Sequence, residues 1–399
     1  MVALNLLMVA LTFGVKAARA ARNAWYARQR KPIELAIEAY LLSGENQPQL
    51  EALSPWRRDI FVSPLIVERL ALVRGTGEEQ LLQLAERLGL VERYLKDLGS
   101  WRRWRRARAA QYLGHFGGER SVAPLKRLLA EADETIRAVA VRALAHIGTP
   151  QAARTLVETL NTPSEITRLR IAENLERIGR EAVAPLVVVL ERAQGSKRDQ
   201  LLLGAVQAAQ VLGQLRAPEA RVQLNHAALH GQSVDLRAKA TLALGKIGDP
   251  DDLPTLLAAA GDKEWPVRAQ AANALAMIGE AATITMLKHL TADPQWWVRF
   301  NASRALANMG PRGEQALLEV LEGDDLFARH RAAATLESRA LTRQIVARLA
   351  TVGKKGEHAR RTVRALVKAG STKHLHQLVR SLPDGENHRL LSAILEEMS

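Results

Sequence analysis

The sequence predicts an all-α fold, an α-solenoid in which pairs of helices stack into a right-handed superhelix. Two periodic features carry this prediction. An arginine recurs at spacings of 31, 31, 69, 31, 31, 30 and 31 residues, and a glycine follows most of these arginines about eleven residues later. Apolar residues between them recur with the period of a helix. The recurring arginines are Arg106, Arg137, Arg168, Arg237, Arg268, Arg299, Arg329 and Arg360.

The composition excludes several classes of protein. The chain has 399 residues, 56 Lys and Arg against 42 Asp and Glu, a formal net charge of +14, and no cysteine. A disulfide framework, a Cys-based zinc site, an iron–sulfur cluster and a thiol nucleophile are therefore ruled out. The 47% of hydrophobic residues suffices for a large core. The basic balance suggests an anionic partner, either nucleic acid or an anionic membrane surface.

Residues 1–31 predict a hydrophobic and basic anchor helix. Val2 to Val15 is a largely apolar run, and no acidic residue precedes Glu34. If the helix extends to Ala21, it is long enough to span a bilayer, provided that Lys16 and Arg19 snorkel toward the headgroups. With its positive flank inside, the anchor places the repeats on the cytoplasmic side of a bacterial inner membrane. The expected membrane-facing residues are Lys16, Arg19, Arg22, Trp25, Arg28, Arg30 and Lys31.

Two other interpretations of this segment remain open. Ala18-Arg19-Ala20 resembles the small-residue cleavage site of a signal peptide. Cleavage near Ala20 would leave a secreted or periplasmic chain. However, Met1 offers no basic region before the apolar run, as a signal peptide requires. Alternatively, the segment forms a soluble amphipathic or buried helix.

The remaining chain divides into three predicted regions. Residues 32–100 are helical in pattern without a repeat signature and form a degenerate N-terminal cap. Residues 101–382 form an array of about nine helix–turn–helix repeats, because no repeat can bury its apolar stripes without neighbours. Residues 383–399 form a capping helix with one apolar face, made by Leu390, Leu391, Ile394, Leu395 and Met398.

The repeats resemble a known family. Residues 267–279 (Val-Arg-Ala-Gln-Ala-Ala-Asn-Ala-Leu-Ala-Met-Ile-Gly) and the similar segment 136–148 resemble the short, Ala-rich bacterial HEAT repeat, the type also found in phycobilin-lyase subunits. The resemblance implies that the repeat arginines brace the next repeat and that the glycines end helices in the left-handed conformation. Two repeats depart from the pattern: one near 197–230 is longer, with Gly213 as its glycine, and one near 327–350 has Leu341 where glycine is expected.

Two aromatic features are candidate contact sites. Residues 101–108 hold five arginines and no acid, and the segment of Trp101, Arg102, Arg103, Trp104 and Arg105 could contact an anion or a partner. A solvated face of the first repeat is the competing interpretation. Trp265 and Trp296 are one repeat apart and Trp297 follows, so they could form a ladder for a partner, or pack between repeats.

No motif predicts an enzyme, and we expect no cofactor, no metal and no small-molecule ligand. The chain has no Gly-rich phosphate loop, no Gly-x-Ser-x-Gly and no His-Glu-x-x-His. His226 and His230 could share a helix face, but no acid in that turn supplies a third ligand.

The sequence favours a non-enzymatic scaffold that holds a partner protein on its concave face. By resemblance, this layout is similar to bacterial accessory proteins of membrane glycosyltransferases and envelope-polysaccharide systems. The alternative is a nucleic-acid-binding protein resembling HEAT-like DNA-repair glycosylases, and a bilin-lyase-type subunit ranks last. Residues 1–31 and 101–108 hold 11 of the 14 excess positive charges, so the repeats are nearly neutral. This pattern argues against nucleic acid and for a membrane-apposed scaffold.

Overall fold

The chain is helical in the computed structural model, which describes the backbone of residues 2–398 and the side chains of residues 12–398. The prediction of an all-α fold is confirmed, since these residues contain no strand. Contacts between residues divide the chain into two compact units, Met1–Leu156 and Val157–Ser399.

The helices follow one another with short connections. Those of the first unit are α1 (Val2–Ser43), α2 (Pro48–Glu51), α3 (Pro55–Arg57), α4 (Ser63–Leu70), α5 (Thr76–Arg87), α6 (Leu90–Asp97), α7 (Arg103–Phe116), α8 (Val122–Leu128) and α9 (Glu134–Ile147). Helix α10 (Pro150–Glu158) contains the boundary. The second unit contains α11 (Glu165–Ile178), α12 (Val183–Ala193), α13 (Asp199–Gln214), α14 (Arg221–His230), α15 (Val234–Ile247), α16 (Leu253–Ala259), α17 (Trp265–Ile278), α18 (Ala281–Leu290), α19 (Trp296–Asn308), α20 (Gly310–Glu322), α21 (Leu326–Ser338), α22 (Leu341–Val346), α23 (Lys354–Lys368), α24 (Thr372–Ser381) and α25 (Glu386–Glu397).

Helix α1 corrects the prediction for the N-terminus. It is 42 residues long, but among the described residues no helix is both long enough and apolar enough to cross a bilayer. The predicted inner-membrane anchor is therefore wrong. The physical reason is that Lys16, Arg19 and Arg22 follow the apolar run within two turns, too early for a hydrocarbon core of about 30 Å. Most of the run Val2–Val15 lies outside the residues whose side chains the structure describes.

The second half of α1 belongs to the core of the first unit. Ile33, Ala36, Ile37 and Tyr40 are buried, and this stretch packs on α2 and α5. Arg69 of α4 donates to Glu34 at 2.8 Å and to Glu38 at 2.5 Å, which fixes α4 along α1.

In the second unit, five helices pack side by side in the order α13, α15, α17, α19 and α21, and the last four carry the repeat arginines Arg237, Arg268, Arg299 and Arg329. We call these five helices the arginine layer. They approach closely because small residues meet: a Cβ atom on Gly245 would lie 2.4 Å from Cα of Ala274, and one on Gly213 would lie 2.7 Å from Cα of Ala243. On the other side, α14 packs on α16 and α18 packs on α20.

Two repeat arginines, Arg237 and Arg268, connect their repeats to the next through carboxylates, as the resemblance implies. Arg237 donates to both oxygens of Asp262, at 2.8 and 3.2 Å, and Arg268 donates to both oxygens of Asp293, at 2.7 and 3.0 Å. Each also donates Nη1 to a carbonyl of the turn before its own helix. Bidentate guanidinium–carboxylate pairs fix both distance and orientation, so they set the register of the layer.

Arg299 ends this series. It keeps the carbonyl contacts, to Asp293 at 2.8 Å and Pro294 at 2.9 Å. Instead of binding a carboxylate, its guanidinium carbon lies 5.1 Å from the ring centroid of Phe327. The arginine layer is therefore joined differently between α19 and α21.

The left-handed glycines are confirmed at most repeat ends, for example at Gly279 with a φ of 73°. The two irregular repeats differ. Gly213 lies inside α13 rather than at its end, and the left-handed residue is Arg216 with a φ of 50°. After α21, Ala340 takes this conformation with a φ of 56°, one residue before Leu341. At the C-terminus, α25 buries Leu391, Ile394 and Leu395 of its predicted apolar face.

Candidate functional site

The basic residues predicted to face a membrane lie along α1. The aromatic residue of this set, Trp25, lies in the middle of the helix and packs on protein. Trp25 is 45% exposed, and its ring centroid lies 6.1 Å from that of Phe61 and 6.5 Å from that of Trp56. Arg30 forms an ion pair with Glu68. The remaining cations, Lys16, Arg19, Arg22, Arg28 and Lys31, are exposed. Because no helix of the described part of the chain could span a bilayer, the membrane-facing role predicted for these residues has no structural support.

The segment from Trp101 to Arg105 forms an exposed surface of stacked cations and rings. Trp101 is 83% exposed and Trp104 is 51% exposed. The guanidinium carbon of Arg102 lies 4.8 Å from the Trp101 ring, and that of Arg105 lies 5.4 Å from the Trp104 ring. Arg103 pairs weakly with Asp133, at 3.4 Å. The anion or partner contact predicted for this segment stays a prediction.

The tryptophans of the predicted ladder lie at the starts of α17 and α19, where Trp265 is 39% exposed, and those of α19 form a compact cluster. Trp296 stacks on Phe300 with 5.1 Å between centroids and 14° between planes, and Trp297 meets Trp296 edge-on at 4.7 Å. Within residues 12–398, no ring contact joins Trp265 to Trp296. Trp296 is 46% exposed and Trp297 is 55% exposed, so both rings are available to a partner. We call Trp296, Trp297 and Phe300 the aromatic cluster.

Arg331 of α21 lies against this cluster. Its guanidinium carbon is 5.3 Å from the centroid of Phe300 and 6.0 Å from that of Trp296. Its Nε is buried and has no hydrogen-bond acceptor. Burial, and then the charge of Arg299, lower the pKa of Arg331 from its ordinary value. Among the described residues, Arg331 forms no ion pair, so it is a partly desolvated cation held in place by aromatic rings.

Sequence analysis overlooked both Phe300 and Arg331. Phe300 could have been found, because it follows Trp296 by four residues and therefore shares its helix face. Arg331 could not, because the equivalent residues of the two preceding repeats, Gln270 and Asn301, are neutral, and only the fold brings it to Phe300.

Arg331 also ends a row of polar side chains that crosses the arginine layer. We call this row the polar stripe; its members are Gln210, Lys239, Gln270, Asn301 and Arg331, one from each helix. Lys239 donates to Gln210 at 2.9 Å, and Asn301 donates to the carbonyl of Ala269 at 3.2 Å. Alongside the stripe, Arg304 donates to Asn273 at 3.4 Å. A concave site of about 210 Å³ opens beside its first two members.

The face that carries the polar stripe is cationic. Helices α17 and α19 contain no acidic residue, and the acids of α13 and α15, Asp199 and Asp235, lie in their first turns. Burial, and then the charge of Lys239, lower the pKa of Lys246, while Glu176 of α11 acts in the opposite direction. The face therefore suits a ligand with negative charge and hydrogen-bonding groups.

The comparisons with known proteins concern the repeats. Residues 91–176, 128–202, 203–276 and 253–337 match the family model of HEAT repeats, and these segments together run from residue 91 to residue 337, more than half of the chain. No curated protein matches the sequence.

Three solved structures illustrate the structural matches. An engineered protein is 18% identical over 91% of this chain and 98% of its own, with a TM-score of 0.33. The complex of CpcE and CpcF of phycocyanin lyase from Nostoc sp. is 21% identical over 62% of this chain and 94% of that chain, with a TM-score of 0.31. Importin beta is 12% identical over 92% of this chain and 64% of its own, with a TM-score of 0.47. The chain thus spans less than two thirds of importin beta.

Proposed function

Because the chain belongs to the HEAT-repeat family, whose stacked units form extended binding surfaces, we propose that it is a non-enzymatic scaffold that holds a partner protein. The partner lies along the polar stripe and contacts the aromatic cluster with an acidic segment. The observation that carries this proposal is Arg331, a cation stacked on Phe300 without an ion-pair partner among the described residues.

The energetics support this assignment. Trp and Arg are the residues that most often dominate protein interfaces, especially at positions where water is excluded. Arg331 is already partly desolvated, so a carboxylate that approaches it gains a charge-assisted hydrogen bond while only one partner still has to lose water. The flanking Trp297 supplies apolar area.

The spacing of the helices supports a concave location for the stripe. Arginine-layer helices meet at Gly245 and Gly213, where a single added Cβ would clash with the neighbouring backbone. In a two-layer array, the layer with the closer spacing lies on the inner side of the bend. Concave solenoid surfaces are the ones these proteins use for binding.

Affinity isolation of the whole chain tests the proposal. We expect one protein to co-purify with the wild type after nuclease treatment, at least tenfold less with Arg331→Met, and an unchanged amount with the control Val222→Ser. Val222 is 76% exposed and lies on α14, outside the arginine layer. Equal recovery with Arg331→Met, or a partner lost on nuclease treatment, would contradict the proposal, and the latter would favour nucleic acid.

The accessory role beside a glycosyltransferase or an envelope-polysaccharide system stays a prediction from resemblance. The same isolation addresses it, since such an enzyme would appear as the protein recovered with the wild type and lost with Arg331→Met.

A further inference from the structure

Among the described residues, Arg329, the repeat arginine that follows Phe300, lacks the carboxylate partner that Arg237 and Arg268 have. Arg237 and Arg268 each bind a carboxylate 25 residues later. At the corresponding distance from Arg329 stands Lys354, a cation. The Nε atom of Arg329 is buried without an acceptor, and no described residue forms an ion pair with its guanidinium.

Arg329 lines a cavity of about 460 Å³, between α20, α21 and α23. This volume falls in the range of about 300–1,000 Å³ that is common for small-molecule sites. Three more cations line it, Arg361, Arg364 and Lys368, all on α23. Two acids, Glu322 and Asp324, also line it.

The charges of this cavity do not balance. Glu322 is already bound by Arg361, with 2.8 Å between Nε and Oε1 and 2.8 Å between Nη2 and Oε2. Arg364 is paired with Glu397 at 2.9 Å, and these side chains are 43% and 58% exposed. Arg329 and Lys368 have no carboxylate partner among residues 12–398. Because Arg361 and Arg364 are each paired with a carboxylate, Arg329 and Lys368 face Asp324 alone, which leaves an excess of one positive charge.

We propose that this cavity binds a small phosphate anion with at least two negative charges. Arginine presents a planar set of N–H donors that matches phosphate oxygens, and lysine adds a compact positive charge. Arg329 and Lys368 both offer N–H donors without a carboxylate acceptor, and a phosphate dianion has enough oxygens to accept from both, whereas a monocarboxylate presents only two oxygens. The ligand supplies Arg329 with the acceptor that Asp262 and Asp293 supply to the preceding repeat arginines.

The site differs from the docking surface in its position and in its chemistry. The polar stripe and the aromatic cluster use Arg331, and the cavity uses Arg329, two residues earlier on α21 and therefore on a different side of that helix. The proposal is consequently independent of the partner protein and can fail or succeed without it.

Calorimetric titration of the full chain with inorganic pyrophosphate tests the proposal, with inorganic phosphate and acetate as further titrants at matched ionic strength. We expect saturable binding of pyrophosphate, weaker binding of phosphate and none of acetate. Arg329→Met and Lys368→Gln each weaken pyrophosphate binding at least tenfold. Lys368 is exposed, so its variant keeps the test valid if the other folds poorly.

Thermal unfolding supplies the matched control. Pyrophosphate raises the unfolding midpoint of the wild type but not that of Arg329→Met, whose ligand-free midpoint is equal to or above that of the wild type because an unpaired charge is removed. Arg268→Met lowers the ligand-free midpoint yet keeps the pyrophosphate shift. Absence of pyrophosphate binding to the wild type, equal binding by acetate, or unchanged binding by both cavity variants would overturn the proposal.

Discussion

Arg331 lies over the ring of Phe300, with 5.3 Å between its guanidinium carbon and the ring centroid. A cation in this position is attracted by the ring, but ring stacking replaces only part of the hydration that burial removes. The contrast with Arg268, which binds both oxygens of Asp293, separates two roles of arginine in one array. Paired arginines hold repeats together, and an unpaired arginine such as Arg331 is available for binding.

Arg331→Met therefore changes stability little. The loss of a cation–π contact of about 0.5–1 kcal/mol is offset by removal of an unpaired charge, so we expect the free energy of unfolding to stay within about 1 kcal/mol of the wild type. Arg268→Met leaves Asp293 buried without its partner and lowers the free energy of unfolding by about 3 kcal/mol. Denaturant unfolding of both variants measures the difference, and equal losses would refute the distinction.

Ala340→Gly stabilises the chain. Ala340 has a φ of 56°, a conformation that costs an L-residue about 1–2 kcal/mol, while the added freedom of glycine in the unfolded chain costs about 0.4–1 kcal/mol. We expect a net gain of about 0.5–1 kcal/mol. The control Ala334→Gly lies inside α21 and loses about 1 kcal/mol. Chemical denaturation measures the free energy of unfolding of both variants. A loss of stability in Ala340→Gly would show that the left-handed conformation is not strained there.

Two glycines distinguish the effect of close helix packing from that of backbone conformation. Gly245 lies inside α15, and Gly248 follows its last residue. At Gly248, with a φ of 79°, a Cβ would have its nearest neighbour 3.8 Å away, so Gly248→Ala costs only backbone strain of about 1 kcal/mol. At Gly245, a Cβ would lie 2.4 Å from Cα of Ala274. Gly245→Ala forces α15 and α17 apart and costs more than about 2 kcal/mol, despite the better helix propensity of alanine. Similar losses in the two variants would contradict the close approach of these helices.

The ion pair of Asp262 makes part of the stability depend on pH. Burial alone would raise the pKa of Asp262, but hydrogen bonds from Arg237 and from the backbone N–H of Glu264 outweigh it and hold the pKa below its ordinary value of 3.8. A carboxyl whose pKa is lowered on folding contributes stability above the unfolded pKa and loses it as the pH falls through the folded pKa. Asp262→Asn should therefore be about 2 kcal/mol less stable than the wild type at pH 7.

This deficit should shrink as the pH falls below 3.8, because the wild-type carboxyl is then protonated as well. Unfolding of both proteins at several pH values measures the trend. A deficit that is the same at pH 7 and at the acid end would show that the contribution of Asp262 is not electrostatic.

Local features of the sequence predict most of the fold. Arg268 and Gly279 recur with the repeat, and each acts within about one repeat length of chain, so their spacing is sufficient to predict helix ends and connections. The prediction fails where the outcome depends on a distant residue. Arg329 and Arg268 look alike in sequence, but Asp293 follows Arg268 by 25 residues and binds it, whereas Lys354 follows Arg329 at that distance.

The N-terminal prediction fails for a different reason. It assumes that Lys16 and Arg19 reach the headgroups. With this assumption, an apolar run that is too short by itself is treated as a bilayer-spanning helix. The packing of Trp25 on Phe61 is likewise not visible in the sequence, because aromatic residues that follow an apolar run are equally common at membrane interfaces and in protein cores.

The most direct test of the docking surface is site-specific photo-crosslinking in cells. A photoreactive amino acid replaces Trp297 in the aromatic cluster or, as the control, the exposed Val222 of α14. We predict that the partner recovered by affinity isolation is crosslinked from position 297 and not from position 222. Crosslinking of that partner from position 222 but not from position 297 would contradict the assignment of this surface.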